Sequence, residues 1–199
     1  FFLKYGDNSF PAHKQKGLYG ELLSLDHLSK IYSLREIVHA WVGPYGAPQD
    51  FNFKSFYLET KTTKNNLIRI NGSKQLTKPK GKELYLHVIK VNKSELKGDS
   101  IINAIERFDT RLRNEPDLLT KFHSKLLAYG YPLGGFDNPL LFEIEEEVFY
   151  NVKEGFPSYE EKYGINYIEY EVDLSKTVKF KVEIDELFHK IKHFKEAAL

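Results

Sequence analysis

A mixed β-sheet covered by helices, an α/β sandwich, is the architecture the sequence predicts, and three observations predict it. The chain opens on a segment of helical periodicity. Four short runs rich in apolar and β-favouring residues follow it, and two further helical segments come after them. With 199 residues the chain is long enough to bury one sizeable core, so residues 1–199 read as a single domain.

The segment GLYGELLSLDHLSKIYSLREIVHAW reads as one helix: Leu18, Leu22, Leu25 and the region from Leu28 to Tyr32 recur at helical spacing, and Gly43-Pro44 should end it. Glu21 lies three and four residues from Leu18 and Leu25, which sets a carboxylate beside the apolar stripe. It either snorkels to solvent or faces a site. WVGPYGAPQDF is a turn-rich connection into a strand, and SFYLETK, NNLIRING and KELYLHVIKV read as further strands. SIINAIERFDTRLRNE is helical, with Ile101, Ile102, Ile105, Phe108 and Leu112 on one face. PDLLTKFHSKLLAYG begins a second helix at Pro116 and stops at Gly130. After the loop GYPLGGFDNP, the segments LLFEIEEEVFYNV, INYIEYEVDL and TVKFKVEI alternate apolar with polar residues, as a half-exposed antiparallel sheet does. Leu187, Phe188, Ile191 and Phe194 mark a closing helix. The core therefore spans about residues 17–130, with a β-rich extension and terminal helix over about 131–199.

Hydrophobic residues at 41%, aromatic at 15% and charged at 29% describe a globular chain rather than a disordered or fibrous one. No apolar run approaches the roughly 18 residues that span a bilayer, and the first residues do not resemble a signal peptide, so a cytoplasmic location is expected. The absence of cysteine excludes a disulfide scaffold and any thiolate metal site. Charge is unevenly spread. From Lys61 to Gly98 ten Lys and Arg face two Glu, whereas Glu143 to Asp173 holds ten acidic residues against two Lys. The basic stretch suits phosphate backbones or is simply a solvated lysine-rich edge.

QDFNFKSFYLETK carries the chemistry of interest. In a strand Tyr57, Glu59 and Lys61 project to one face, and Phe56, Leu58 and Thr60 to the other. Asp50 falls at the start of the preceding strand, where a hairpin would bring it to Glu59. Hydrolysis of a phosphodiester needs an oxygen-ligated divalent cation, a source of hydroxide and charge stabilisation at phosphorus. Asp50, Glu59 and the Thr60 carbonyl suit Mg²⁺ as hard ligands. Lys61 would stand beside the attacking water, to orient or deprotonate it, and Glu21 could reach the same point from the first helix. The Asp then Glu-x-Lys pattern is weak by itself, and an ordinary Glu/Lys strand end is the alternative. His39, His87 and His123 fall in apolar patterns and read as structural, and the acidic EIEEE reads as a solvent face.

GELLSLDHL, AWVGPYGAPQDF, FYLETKTT, LIRINGSKQLT with ELYLHVIKV, then KLLAYGYPL, EEEVFYNVKEGFPSYE and INYIEYEVDLS, resemble in that order the PD-(D/E)XK family members of bacteria within the restriction-endonuclease-like superfamily, from about Gly17 to Asp173. The resemblance implies a restriction-endonuclease-like core. It implies that Asp50, Glu59 and Lys61 are the signature acid, acid and lysine, and that Glu21 is the helix glutamate. It implies Mg²⁺, with Mn²⁺ able to substitute, and DNA as substrate in a restriction or phage-defence setting, with a second copy or other subunits of such a system as partners. Gln49 stands where proline is usual and Thr60 where an apolar residue is usual; neither removes a ligand. Gln75 stands where related nucleases carry a glutamine that orients the site or the DNA; a polar turn residue is the other reading. Lys64, Arg69, Lys74, Lys78 and Lys80 would contact phosphates. The competing expectation is a non-cleaving DNA-binding or assembly subunit on a nuclease-like fold, and an RNA-directed or repair nuclease would share the same site.

Overall fold

The computed structural model describes residues 9–78, 80–159 and 167–196. Helix α1 (Ala12–Leu28) is followed by α2 (Leu34–Ala40) and a 3₁₀ turn (Gly43–Tyr45); strands β1 (Phe51–Asn52), β2 (Phe56–Thr63), β3 (Leu67–Asn71) and β4 (Glu83–Ser94) come next. Helices α3 (Ile101–Leu112) and α4 (Pro116–Tyr129) precede β5 (Leu141–Asn151), β6 (Glu169–Asp173), β7 (Lys181–Val182) and α5 (Ile184–Glu196). The main sheet has the order β1-β2-β4-β5-β7, with β2 and β4 parallel and the other neighbours antiparallel; β3 and β6 form a separate antiparallel pair. This is the mixed α/β architecture that the sequence predicts.

The sheet is buried on both faces, and β4 shows why its sequence reads as a nearly continuous apolar run. Tyr85, Ile89 and Val91 enter one core, which all five helices line; Leu84, Leu86 and Val88 enter a second core closed by Ile68, Ile70 and Val172 of the β3–β6 ribbon. Strand β2 divides its residues the same way. Phe56 and Leu58 join the helical core and Tyr57 packs on the ribbon core. Thr60 and Thr62 meet α1 at Gly20, where a Cβ would lie 2.4 Å from the Thr62 methyl carbon, so a side chain there would push the helix off the strand.

Three elements differ from expectation. The opening helix is two helices, because Ser33 caps α2 through a reciprocal pair: its hydroxyl accepts from the Glu36 N–H, and the Glu36 carboxylate accepts from the Ser33 N–H at 2.7 Å. Ser33→Ala is therefore expected to lower stability by about 1 kcal/mol in denaturant melts. TVKFKVEI, which follows a 3₁₀ turn at Leu174–Lys176, forms a second one at Val178–Phe180, and only Lys181–Val182 pairs as strand. Phe180 anchors these turns in the ribbon core. EIEEE is not wholly a solvent face, since Glu147 turns toward two histidines at its inner side. Ile165 and Asn166, at the start of a predicted strand, lie outside the described residues.

Helix α4 starts at Pro116 and ends at Gly130, whose φ of 94° is a left-handed cap. Strand β5, from the segment predicted as a β-rich extension, lies beside β4 in the main sheet. Among the described residues no helix is long and apolar enough to cross a membrane.

Candidate active site

Strand pairing sets the geometry. β1 folds back on β2 with Phe51 opposite Leu58, and this carries Asp50 to the middle of β2, where its Oδ2 accepts from the Thr60 N–H at 2.7 Å. Two carbonyl-side hydrogen bonds fix the same turn, from the N–H groups of Val42 and Gly43 to the Asp50 carbonyl at 2.7 and 2.9 Å. Glu59, 1% exposed, projects from β2 toward the ribbon side together with Lys61. Lys61 Nζ lies 2.9 Å from Glu59 Oε1 and donates to Gln75 Oε1 at 2.8 Å. Gln75 Oε1 also accepts from the Asn71 N–H. The lysine head is thus held between a carboxylate and an amide, where a free lysine would sweep a wide arc.

Glu21 arrives from α1 and is itself buried. Its Oε2 accepts from Trp41 Nε1 at 2.6 Å, and the Tyr129 phenol lies near the same carboxylate, where burial and then the charge of Glu21 raise its pKa. Lys125, buried beneath, donates to the carbonyls of Trp41 and His39 and so pins the turn that presents the indole. Gly43 sits between the two acids. A Cβ there would stand 2.7 Å from Asp50 Oδ1, 3.1 Å from the Asp50 Cα and 3.1 Å from Glu21 Oε2. Gly43→Ala is expected to spread these carboxylates and weaken divalent-cation binding at least about tenfold, or about 1.4 kcal/mol, as read by calorimetry with Mn²⁺.

Electrostatics mark this cluster as costly. Burial, then repulsion from Asp50, pushes the Glu59 carboxyl up to about 8. Burial also raises Asp50 to about 6, against the pull of Lys61 and the Thr60 N–H. Glu21 is raised well above the ordinary carboxylate range by burial and by the charge of Asp50. Lys61, despite burial, is held above its ordinary value by Glu59. Glu59 Oε2 is buried with no hydrogen-bond partner among the described residues. An unpartnered carboxylate oxygen facing further carboxylates fits an oxygen-seeking cation, and Asp50, Glu59 and the Thr60 carbonyl are hard donors of the kind Mg²⁺ takes.

The structure thus brings Glu21, Asp50, Glu59 and Lys61 into one interacting group. The three acids are not drawn tightly together: their ligand atoms do not all fall within 4.8 Å of one another, a spacing that among the described residues one other trio meets. The nucleic-acid candidates are distributed more loosely. Gln75 is engaged with Lys61. Arg69 pairs with Glu169 at 3.2 Å and Lys78 with Glu83 at 3.4 Å, both exposed pairs. Lys64, Lys74 and Lys80 are exposed, and burial, then the charge of Lys64, lowers the Lys16 affinity for its proton. Sequence reasoning missed Trp41, Lys125 and Tyr129. Nothing in their local pattern distinguishes them from core residues.

Comparison with family models settles the kinship. Residues 1–175 match the family described as "Putative PD-(D/E)XK family member, (DUF4420)". The chain belongs to this family. Comparisons with curated proteins and with solved structures return no match. Family membership agrees with the nuclease-like fold of a five-stranded mixed sheet flanked by helices.

Proposed function

We propose that this PD-(D/E)XK family member is a Mg²⁺-dependent DNA endonuclease of the restriction or phage-defence type, hydrolysing phosphodiester bonds at Asp50, Glu59 and Lys61. The observation that carries this reading is Glu59 Oε2, a buried carboxylate oxygen with no hydrogen-bond partner among the described residues, beside a second raised carboxylate. Such a group costs folding stability, about 1–3 kcal/mol for an unsatisfied polar atom and more for a charge. A core residue with no task would be apolar there.

Asp50, Glu59 and the Thr60 carbonyl would hold the cation, Glu21 would support it or a second ion, and Mn²⁺ would substitute. When bound, the cation supplies Lewis-acid polarisation of the phosphoryl oxygen and acidifies water. Lys61 is retained as a cation by Glu59, so its part is to orient the attacking water and offset negative charge in the transition state. This favours the electrostatic role over proton abstraction. Gln75 holds the Lys61 head in place, and Trp41 holds Glu21. Lys64, Lys74 and Lys80, with Arg69 and Lys78 once released from their exposed pairs, would contact phosphates; such pairs are worth about 0–1 kcal/mol each and yield readily. A cytoplasmic setting and cleavage of both strands by two copies fit this activity.

The test is cleavage of supercoiled and linear DNA, and of RNA, with Mg²⁺, Mn²⁺ or chelator. Nicking or linearisation of DNA with Mg²⁺ or Mn²⁺, absent with chelator and with Asp50→Asn, is expected. Preferential RNA cleavage would move the substrate to RNA. No cleavage and no binding heat with either ion, while DNA binding survives unchanged in Asp50→Ala, would replace this reading with a non-cleaving DNA-binding subunit.

A further inference from the structure

On the far side of Thr60 from the acids lies a second cluster, made by three elements. His27 of α1, His87 of β4 and Glu147 of β5 each offer a ligand atom, and these atoms all lie within 4.8 Å of one another. Both imidazoles converge on one oxygen: His27 Nε2 is 2.7 Å and His87 Nε2 3.1 Å from Glu147 Oε2. We propose that His27, His87 and Glu147 form a second metal site, for a zinc-class transition-metal cation, separate from the Asp50–Glu59 cluster.

The donor set gives the metal class. Two imidazoles and one carboxylate suit Zn²⁺ and its neighbours, whereas Mg²⁺ takes oxygen alone. Ligand spacing is near what is needed. Tetrahedral Zn²⁺ at about 2.0–2.1 Å from each donor separates them by roughly 3.4 Å, so the His27 contact to Glu147, at 2.7 Å, must open by about 0.7 Å and the His87 contact, at 3.1 Å, by about 0.3 Å.

The surroundings resemble a metal site in two further respects. His87 is fully buried, and its Nδ1 is hydrogen-bonded at 2.8 Å to Ser24 Oγ, which in turn bonds Thr60 Oγ1 at 2.8 Å. A ligating histidine is normally held through its other ring nitrogen in this way. His87 also stacks on Phe149 with centroids 4.0 Å apart. The site is open on its other side. His27 and Glu147 line a cleft of about 390 Å³ with Glu146, Lys181, Val182 and Glu183, so a cation has an entry path and a position for water or a further ligand. His27 Nδ1 is buried without a hydrogen-bond partner among the described residues, and its ring is placed by edge contacts to His87, Phe149 and Phe188.

The placement has a structural consequence. His27 lies on the same helix as Glu21, and Ser24 between them touches Thr60 of the acid cluster. A cation here would clamp α1 to β4 and β5 and so fix the helix that presents Glu21.

Calorimetric titration of Zn²⁺ into chelator-stripped full-length protein, with excess Mg²⁺ present to occupy the acid cluster, tests the site. One Zn²⁺ per chain is expected for wild type and for Asp50→Asn, with affinity reduced at least about 100-fold in Glu147→Gln and in His27→Asn. In wild-type protein, Zn²⁺ should also shift the ¹⁵Nε2 resonances of His27 and His87, a readout that needs no variant. Absence of Zn²⁺ binding to wild type overturns the proposal. So does Zn²⁺ binding that Asp50→Asn abolishes and Glu147→Gln spares, or that leaves both imidazoles unshifted. Because Asp50→Asn removes the proposed nuclease activity and not this site, the two readings fail separately.

Discussion

Asp50→Asn is expected to lower metal-dependent cleavage by at least about 10³-fold, since loss of the cation forfeits several kcal/mol of transition-state stabilisation. The same change is expected to make the metal-free protein more stable at pH 8, by about 1–3 kcal/mol. Asparagine keeps an oxygen for the Thr60 N–H and removes one of three carboxylates, two of them buried and Asp50 half-buried, that repel one another. The pH dependence fixes the sign. Asp50 is raised to about 6 and Glu59 to about 8, so between about pH 4 and 8 the folded protein holds more protons than the unfolded chain. Stability from these groups is full below that window and is lost as pH rises through it. Thermal melts in chelator should therefore show wild type losing stability from pH 5 to pH 8, Asp50→Asn losing less, and excess Mg²⁺ flattening the wild-type slope. A carboxylate kept only for structure would give the opposite result, with Asp50→Asn less stable at every pH.

Lys61→Met separates chemistry from metal binding. Its Nζ lies against Glu59 and Gln75, and in the proposed mechanism it acts on the attacking water and the transition state. A fall in kcat of about 10²–10⁴ is expected, with Mn²⁺ affinity unchanged or increased because a competing cation is gone from Glu59. Metal-free stability should fall modestly, by about 1–3 kcal/mol, as Glu59 Oε1 loses the lysine and Gln75 Oε1 keeps only the Asn71 N–H. Single-turnover cleavage and Mn²⁺ titration on the same preparation check both halves. Unchanged kcat would remove Lys61 from the mechanism.

The parts of this arrangement that were legible in the sequence are those that local geometry dictates. Strand periodicity places Glu59 and Lys61 on one face, and the turn-rich segment before Phe51 brings Asp50 back against Thr60. The helices from Ile101 and Pro116 follow from their apolar spacing and from Gly130. What escaped is set by distant partners or by competing local bonds. Helical periodicity runs through residues 29–33 without a break, yet Ser33 and Glu36 satisfy each other's backbone and start a new helix. β3 reads like any strand of the main sheet, but its partner, β6, lies about 100 residues further on. Its departure is what opens the ribbon face on which Lys61 meets Gln75. The alternation in TVKFKVEI suits a strand, while burial of Phe180 in the second core favours turns. Trp41, Tyr129 and Glu147 gain their roles only through tertiary contact with Glu21 and the two histidines.

The central claim is that the buried, partnerless oxygen of Glu59 exists to hold a divalent cation next to Lys61. Anomalous diffraction from crystals soaked in Mn²⁺ tests it most directly. The prediction is an anomalous peak about 2.0–2.3 Å from carboxylate oxygens of Asp50 and Glu59 and from the Thr60 carbonyl, absent in Asp50→Asn crystals. Mn²⁺ bound elsewhere, with Glu59 still paired to Lys61 and its second oxygen still bare, would contradict the account.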